Sequence, residues 1–184
     1  MKKHILTLFT VLLIASSCKK QQDPFLIEKQ NVGLLTDSTQ VKDLKLVFPN
    51  DSIVKKVKGD EFIEVQNDIQ IFSKDGNELL TLTPSEALDS TATISTVQIL
   101  SPKYRTAKDI SKLSTFKDIA DNYKISKISN LINSIVISVN ELNASFTIDK
   151  KELPSSLRYD MNITIEKSQI PDEAKIKYFF IHWN

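Results

Sequence analysis

Ile69-Gln70-Ile71-Phe72-Ser73-Lys74-Asp75-Gly76-Asn77-Glu78-Leu79-Leu80-Thr81-Leu82 is the stretch that decides the fold class of this chain. Two β-rich runs, 69–72 and 78–82, flank Lys74-Asp75-Gly76-Asn77, and a turn that short joins strands running antiparallel. The same pattern stands just before it, where 53–57 and 62–65 flank Lys58-Gly59-Asp60. Further strands are expected at 93–100, 124–128, 134–139, 144–148, 161–165 and 175–183. Few of these runs are continuously apolar, as parallel strands covered on both faces would be. The expectation is an α+β fold: antiparallel sheet or sheets with two short amphipathic helices packed on one face.

Those helices follow from spacing. Over 39–48, Val41, Leu44, Val47 and Phe48 share a face and Pro49-Asn50 closes the run. Asp37 and Gln40, three residues apart, have the spacing of a capping pair. Over 115–123, Phe116, Ile119, Ala120 and Tyr123 form the i, i+3, i+4, i+7 stripe, and Thr115 with Asp118 is placed to cap its start. Each helix has only about ten residues, so it must gain its stability by packing on a sheet.

The two helical segments also echo each other. With a one-residue gap after the Ser-Thr pair, Lys42-Asp43-Leu44 aligns with Lys117-Asp118-Ile119 and Phe48 with Tyr123, and each copy precedes several strands. Either the chain holds two pseudo-repeated helix-then-sheet units, with halves at 31–103 and 104–184, or two amphipathic helices are alike by chance. The first copy has Gly33 and Ser38-Thr39 ahead of its helix. The second has Ile110-Ser111 and Ser114-Thr115 and lacks the glycine. This arrangement resembles the tandem units of β-lactamase-inhibitor-protein-like folds and of small outer-membrane assembly lipoproteins, and that resemblance implies an interaction module and not an enzyme. The segment around Lys117-Asp118-Ile119 and the ending over 170–179 also look like uncharacterised lipoproteins of flavobacteria-type envelopes, which carry no assigned activity.

The beginning of the chain points to the same compartment. Lys2 and Lys3 precede an apolar or hydroxyl stretch over 5–14, and Ala15-Ser16-Ser17 lead into Cys18, the one cysteine of the chain. The apolar core is about ten residues where a bilayer span needs about twenty, so it reads as a signal. The residues before Cys18 resemble the lipobox of bacterial lipoproteins, although Ala15 stands where leucine is most usual. The resemblance implies that Cys18 receives a diacylglycerol and becomes the new N-terminus. An ordinary cleaved signal would leave an odd free thiol in an oxidising compartment, a liability that acylation removes. The expected organisation is a signal peptide at 1–17, a lipidated tether at 18–30 and a globular α+β domain at 31–184. The expected location is the cell envelope, held to the outer membrane by N-terminal acyl chains. Its side stays open, because only Asp23 fits the acid-rich signals that follow some lipidated cysteines.

Without its first seventeen residues the chain carries 22 basic and 23 acidic side chains, and no charge field favours nucleic acid. Only three glycines occur, which leaves no Gly-rich phosphate loop. His182 is then the sole histidine, and zinc sites, Ser-His-Asp triads and Cys-His pairs are judged to need more than this. The acids Asp60, Glu61, Glu64, Asp172 and Glu173 lack the aromatic neighbours of a sugar platform. Ser73-Lys74-Asp75-Gly76-Asn77-Glu78 is better read as a turn than as a calcium loop. The aromatic ending Tyr178, Phe179, Phe180 and Trp183 has apolar residues on both faces, as in a central strand. No catalytic, cofactor-binding or metal-binding residue is assigned, and Cys18 is the single site residue, for lipidation. The functional expectation is a lipid-anchored, non-catalytic protein-interaction module with an envelope protein as partner. The alternative is a carrier of a small apolar or lipid ligand.

Overall fold

Twelve strands and two short helices make up residues 22–58 and 66–183, the part of the chain that the computed structural model describes. The strands are β1 (Leu26–Ile27), β2 (Asn31–Val32), β3 (Leu35–Thr36), β4 (Ser52–Lys58), β5 (Gln66–Phe72), β6 (Glu78–Pro84), β7 (Ile94–Ile99), β8 (Arg105–Thr106), β9 (Lys127–Asn130), β10 (Ser134–Val139), β11 (Ala144–Asp149) and β12 (Ile176–His182). The helices are α1 (Leu44–Val47), led in by a 3₁₀ turn over Val41–Asp43, and α2 (Phe116–Asn122). The fold is α+β, as the turn chemistry implies.

Eight strands form one antiparallel sheet in the order β4-β5-β6-β7-β12-β11-β10-β9. Each half of the chain is a four-stranded meander that starts at an outer edge and works inward. The two last strands, β7 and β12, meet along the middle through the pairs Gln98–Phe180, Val97–Ile181 and Thr96–His182. Each meander is preceded by its helix, tied to the sheet by the same bonds. Gln40 bridges Thr93 as Thr115 bridges Lys175. Val41 and Lys42 donate backbone N–H groups to the carbonyls of Ala92 and Ser90, and Phe116 and Lys117 donate theirs to Ala174 and Asp172. The Thr36 N–H is accepted by the Thr39 hydroxyl at 3.0 Å and the Ser111 N–H by that of Ser114 at 3.1 Å. These pairs keep Thr36 through Phe48 in step with Ser111 through Tyr123 at a constant spacing. The one-residue gap in the sequence alignment is therefore unnecessary: Gln40, not Thr39, corresponds to Thr115.

One face of the sheet is closed by both helices. Ile69, Ile71, Leu80, Leu82, Val97 and Ile99 from the first meander join Ile135, Ile137, Phe146, Ile148, Phe179 and Ile181 from the second. Leu44 and Phe48 beside α1 and Phe116, Ile119 and Tyr123 beside α2 lie in the same apolar core. Removing side chains of this size from water stabilises the fold by about 1.5–3 kcal/mol each, which a helix of one or two turns needs in order to exist. Both meanders carry a β-bulge at the same place, Ser95 opposite Thr83 and Pro84, and Lys177 opposite Thr147 and Ile148. The extra residue shifts the alternation by one. Ile176 is consequently buried with Phe179 and Ile181, although plain alternation would put it with Tyr178 and Phe180.

The chain enters the fold earlier than the sequence implies. β1 pairs in parallel with β8 and antiparallel with β2, within a small sheet of order β3-β2-β1-β8. Ile27 is buried, and the Trp183 indole N–H donates to the Lys29 carbonyl at 3.0 Å. Residues 22–30 thus belong to the globular part, whereas the sequence reading gave them to the tether. Gly33, at φ +60°, lies beneath this segment, and a side chain there would run into the Pro24 carbonyl.

Other expectations also shift. β4 pairs with β5 from Lys58–Gln66 to Ser52–Phe72, so its partner is 66–72, while the proposed strand at 62–65 lies outside the described residues. The stretch 161–165 is not a strand. Instead, the Asn130 side-chain amide donates to the carbonyls of Asp160 and Ile163 at 3.0 Å each, fixing the segment as a covering loop. The first helix is shorter than 39–48 and Gln40 makes no side-chain cap. Thr115 and Asp118 do close a capping box at α2, as their spacing predicts.

Candidate functional site: the open face of the large sheet

The face away from the helices is built by every second residue of the same strands. From the first meander it shows Gln70, Thr81, Thr83, Thr96 and Gln98, and from the second Val136, Ser138, Ser145 and Thr147, all partly exposed. These are hydroxyl, amide and small apolar groups, and charge enters toward the two outer edges, where Asp68 accepts from the Thr83 hydroxyl at 3.0 Å and Lys127 stands opposite Ser138. Next to the junction of the halves, β12 adds Tyr178, Phe180 and His182. The Tyr178 and Phe180 rings are 6.1 Å apart, and His182 stacks on Phe180 at 6.2 Å with 25° between planes. The row ends at an edge concavity of about 530 Å³, lined by Val136, Ser138, Asn140, Asn143, Ser145 and His182 among others.

Local bonds hold this row in place. His182 is half-buried, its Nε2 is 2.7 Å from the Ser145 hydroxyl, and its backbone N–H donates to Asn143, a residue in the left-handed region at φ 50°. Burial pushes the imidazole pKa below its ordinary 6.5, which favours the neutral ring. At the other end of the row, the Lys177 ammonium donates to Asp149 at 3.0 Å. Asp149 lies below the usual carboxylate range because the Lys151 backbone N–H and then Lys177 bind its charged form.

A serine and a histidine in hydrogen-bond contact is an arrangement that the count of histidines did not foresee, since one imidazole suffices for it. A nucleophile pair also needs a third group that orients the histidine. Among the described residues no carboxylate bonds His182, and the contact holds the imidazole end of the aromatic row against β11. The other residues weighed in the sequence are dispersed. Asp172 pairs with Lys117 at 3.4 Å on α2, and Asp60, Glu61 and Glu64 lie outside the described residues. Ser73 through Asn77 form a hairpin turn with Gly76 at φ +79°. No three His, Cys, Asp or Glu side chains gather among the described residues. Cys18 also lies outside them, and no described helix is long and apolar enough to cross a membrane.

A second concavity, of about 380 Å³, lies where the chain joins the fold. Its walls are mostly apolar and include Phe25, Leu34, Val47, Phe48 and Leu79, with Tyr104 below. Burial, reinforced by the charge of Asp51, raises the Tyr104 phenol well above its ordinary value, so this hydroxyl stays neutral.

The geometry defines a class: a two-fold-like α+β protein with a single eight-stranded antiparallel sheet, helices on one side and an open face on the other. No protein-family model and no curated protein matches the sequence. Among solved structures the chain is similar to the crystal structure of the uncharacterized protein yfeY from Escherichia coli. The likeness has a TM-score of 0.57 at 13% identity and covers 85% of this chain and 98% of that one. At that identity it shows a shared fold.

Proposed function

We propose that this is a lipid-anchored protein of the bacterial envelope, without catalysis, that binds another protein through the open face of its sheet. The observation that carries the reading is that face: continuous across both meanders, uncharged along its middle strands with charge only toward its edges, and marked by Tyr178, Phe180 and His182 near its middle. Aromatic side chains set in a hydroxyl-rich surface are the usual anchors of protein interfaces. The helix-then-sheet order of both halves and the signal-like stretch ending at Cys18 support the resemblance to envelope interaction modules. Attachment is through acyl chains on Cys18, in the outer membrane. The carrier alternative calls for a cavity between both helices and the sheet. The apolar concavity takes Val47 and Phe48 from the α1 side and nothing from α2, which favours the interaction reading.

A photo-crosslinking residue placed at Phe180 in intact cells tests this. A discrete protein adduct is expected there and not from the same probe at Glu86, an exposed position off the face. Equal adducts at both positions would count against the open face as the binding site. Labelling of Ser145 by a fluorophosphonate would overturn the non-catalytic reading.

A further inference from the structure

We propose that the end of the molecule carrying Leu34 and Leu46 docks on the lipid surface, so that the protein lies against its membrane in one orientation. This rests on the anchor reading of Cys18 and adds a second, non-covalent contact. The repeat supplies an internal control. Leu46 is 80% exposed and Leu34 46% exposed, and Val47 is half-buried beside the apolar concavity. At the spacing fixed by the shared bonds from Thr36 to Phe48, the second half has Asp121 and Asn122 in the places of Leu46 and Val47. Asp121 is exposed and ion-paired with Lys117 at 3.3 Å. The same helix is therefore built with a charge at this site, and Leu46 is not there to complete a core. Leu34 and Val47 line one concavity with Phe25 and Phe48, and a contiguous exposed apolar patch of this kind marks contact with a partner.

The tether says which partner. The Gln22 side-chain amide donates to the Gly33 carbonyl at 2.7 Å, immediately before Leu34, and Pro24 lines the same concavity. Three residues lie between Cys18 and Gln22, so the four chain steps reach at most about 14 Å. An acylated Cys18 thus holds Leu34 next to the headgroup layer. Lys45, Lys74 and Lys103 are exposed around the apolar patch, and Lys103 reaches over the Phe25 ring. Asp51 and Asp75 line the same concavity, so the rim is mixed with lysine in excess, and a leucine centre beside long basic side chains that extend to the phosphates is a composition that settles into a lipid interface.

The test uses the full, processed protein reconstituted in vesicles of phosphatidylethanolamine with phosphatidylglycerol. An environment-sensitive dye is attached at Leu46→Cys or, as the matched position, at Asp121→Cys, and bromine-labelled lipid chains quench it by contact. Quenching several times stronger at 46 than at 121 is expected, and Leu34→Asp should lower it at 46. Equal quenching at the two positions overturns the proposal. Palmitate incorporation at Cys18 is read on the same preparations. Acylated protein with equal quenching leaves the anchor standing and removes the docking face, whereas protein without palmitate removes both. Leu34 and Leu46 are exposed, so these variants are expected to fold, and their urea midpoints verify it.

Discussion

The first half starts its helix at Gln40, whose side chain bonds nothing there, and holds it with one 3₁₀ turn and one α-turn. The second starts at Thr115, which closes a capping box with Asp118 and extends the helix to seven residues. The halves agree in strand order, in the bulge between their last two strands and in the bridge that ties each helix to its last strand, while a further bulge at Leu79 between β5 and β6 has no counterpart between β10 and β11. The backbone bonds of the repeat are thus enough to specify the plan, and side chains are free to diverge wherever they do not carry those bonds. β7 and β12 show the same rule. Both face the core with alternate residues, but the solvent side of one carries Thr96 and Gln98 and that of the other Tyr178, Phe180 and His182.

The largest expected effect probes the shared core. Phe179 and Val97 hold corresponding places on either side of the junction, both fully buried, and the Phe179 ring lies 4.5 Å from that of Phe146. Phe179→Ala should cost about 3–5 kcal/mol, and Val97→Ala roughly half as much. Because β7 and β12 pair directly, urea unfolding followed by circular dichroism and by tryptophan fluorescence should give one coincident transition in each variant. Two transitions would show that the halves fold as separate units and would break the comparison.

The helix starts give a smaller and more selective effect. Thr115→Ala removes the hydroxyl that accepts from the Asp118 N–H, keeps the backbone N–H bond to the Asp118 carboxylate, and should lower stability by about 1 kcal/mol, whereas Gln40→Ala should change the urea midpoint very little. A comparable loss from Gln40→Ala would mean that its side chain holds the first helix start in a way the repeat does not explain.

Much of this plan was legible in the residues, and the remainder was hidden for physical reasons. The Asp75-Gly76 turn, the strand over Ser134–Val139 and the α2 cap are local, so composition and spacing reveal them. The echo of Lys42-Asp43-Leu44 in Lys117-Asp118-Ile119 was visible too, because those residues sit where the repeat makes its bonds. β1, β2, β3 and β8 have two residues each, too few for any period to show. The bulges at Ser95 and Lys177 involve no glycine, and without them Ile176 is assigned to the wrong face. The loop over 161–165 alternates as a strand would, but an Asn130 side chain takes its carbonyls. The contact between Ser145 and His182 joins two strands 37 residues apart, and nothing near either residue announces it.

That contact supplies the smallest prediction. His182 is half-buried and titrates below 6.5, while the position that corresponds to it in the first half, Leu100, cannot titrate. The unfolded chain binds the histidine proton more readily than the folded one. Stability from this group is therefore present above the unfolded value near 6.5 and declines as the pH falls through it. Between about pH 7.5 and about pH 5, urea midpoints of the wild type should fall by more than those of His182→Gln. Ser145→Ala should leave the direction unchanged, because desolvation, not the serine, lowers the imidazole. A wild type and a His182→Gln variant with the same pH dependence would mean that the ring is solvated as freely as in the unfolded chain. The aromatic row would then lose its fixed end, and with it the main feature that sets the second half of the open face apart from the first.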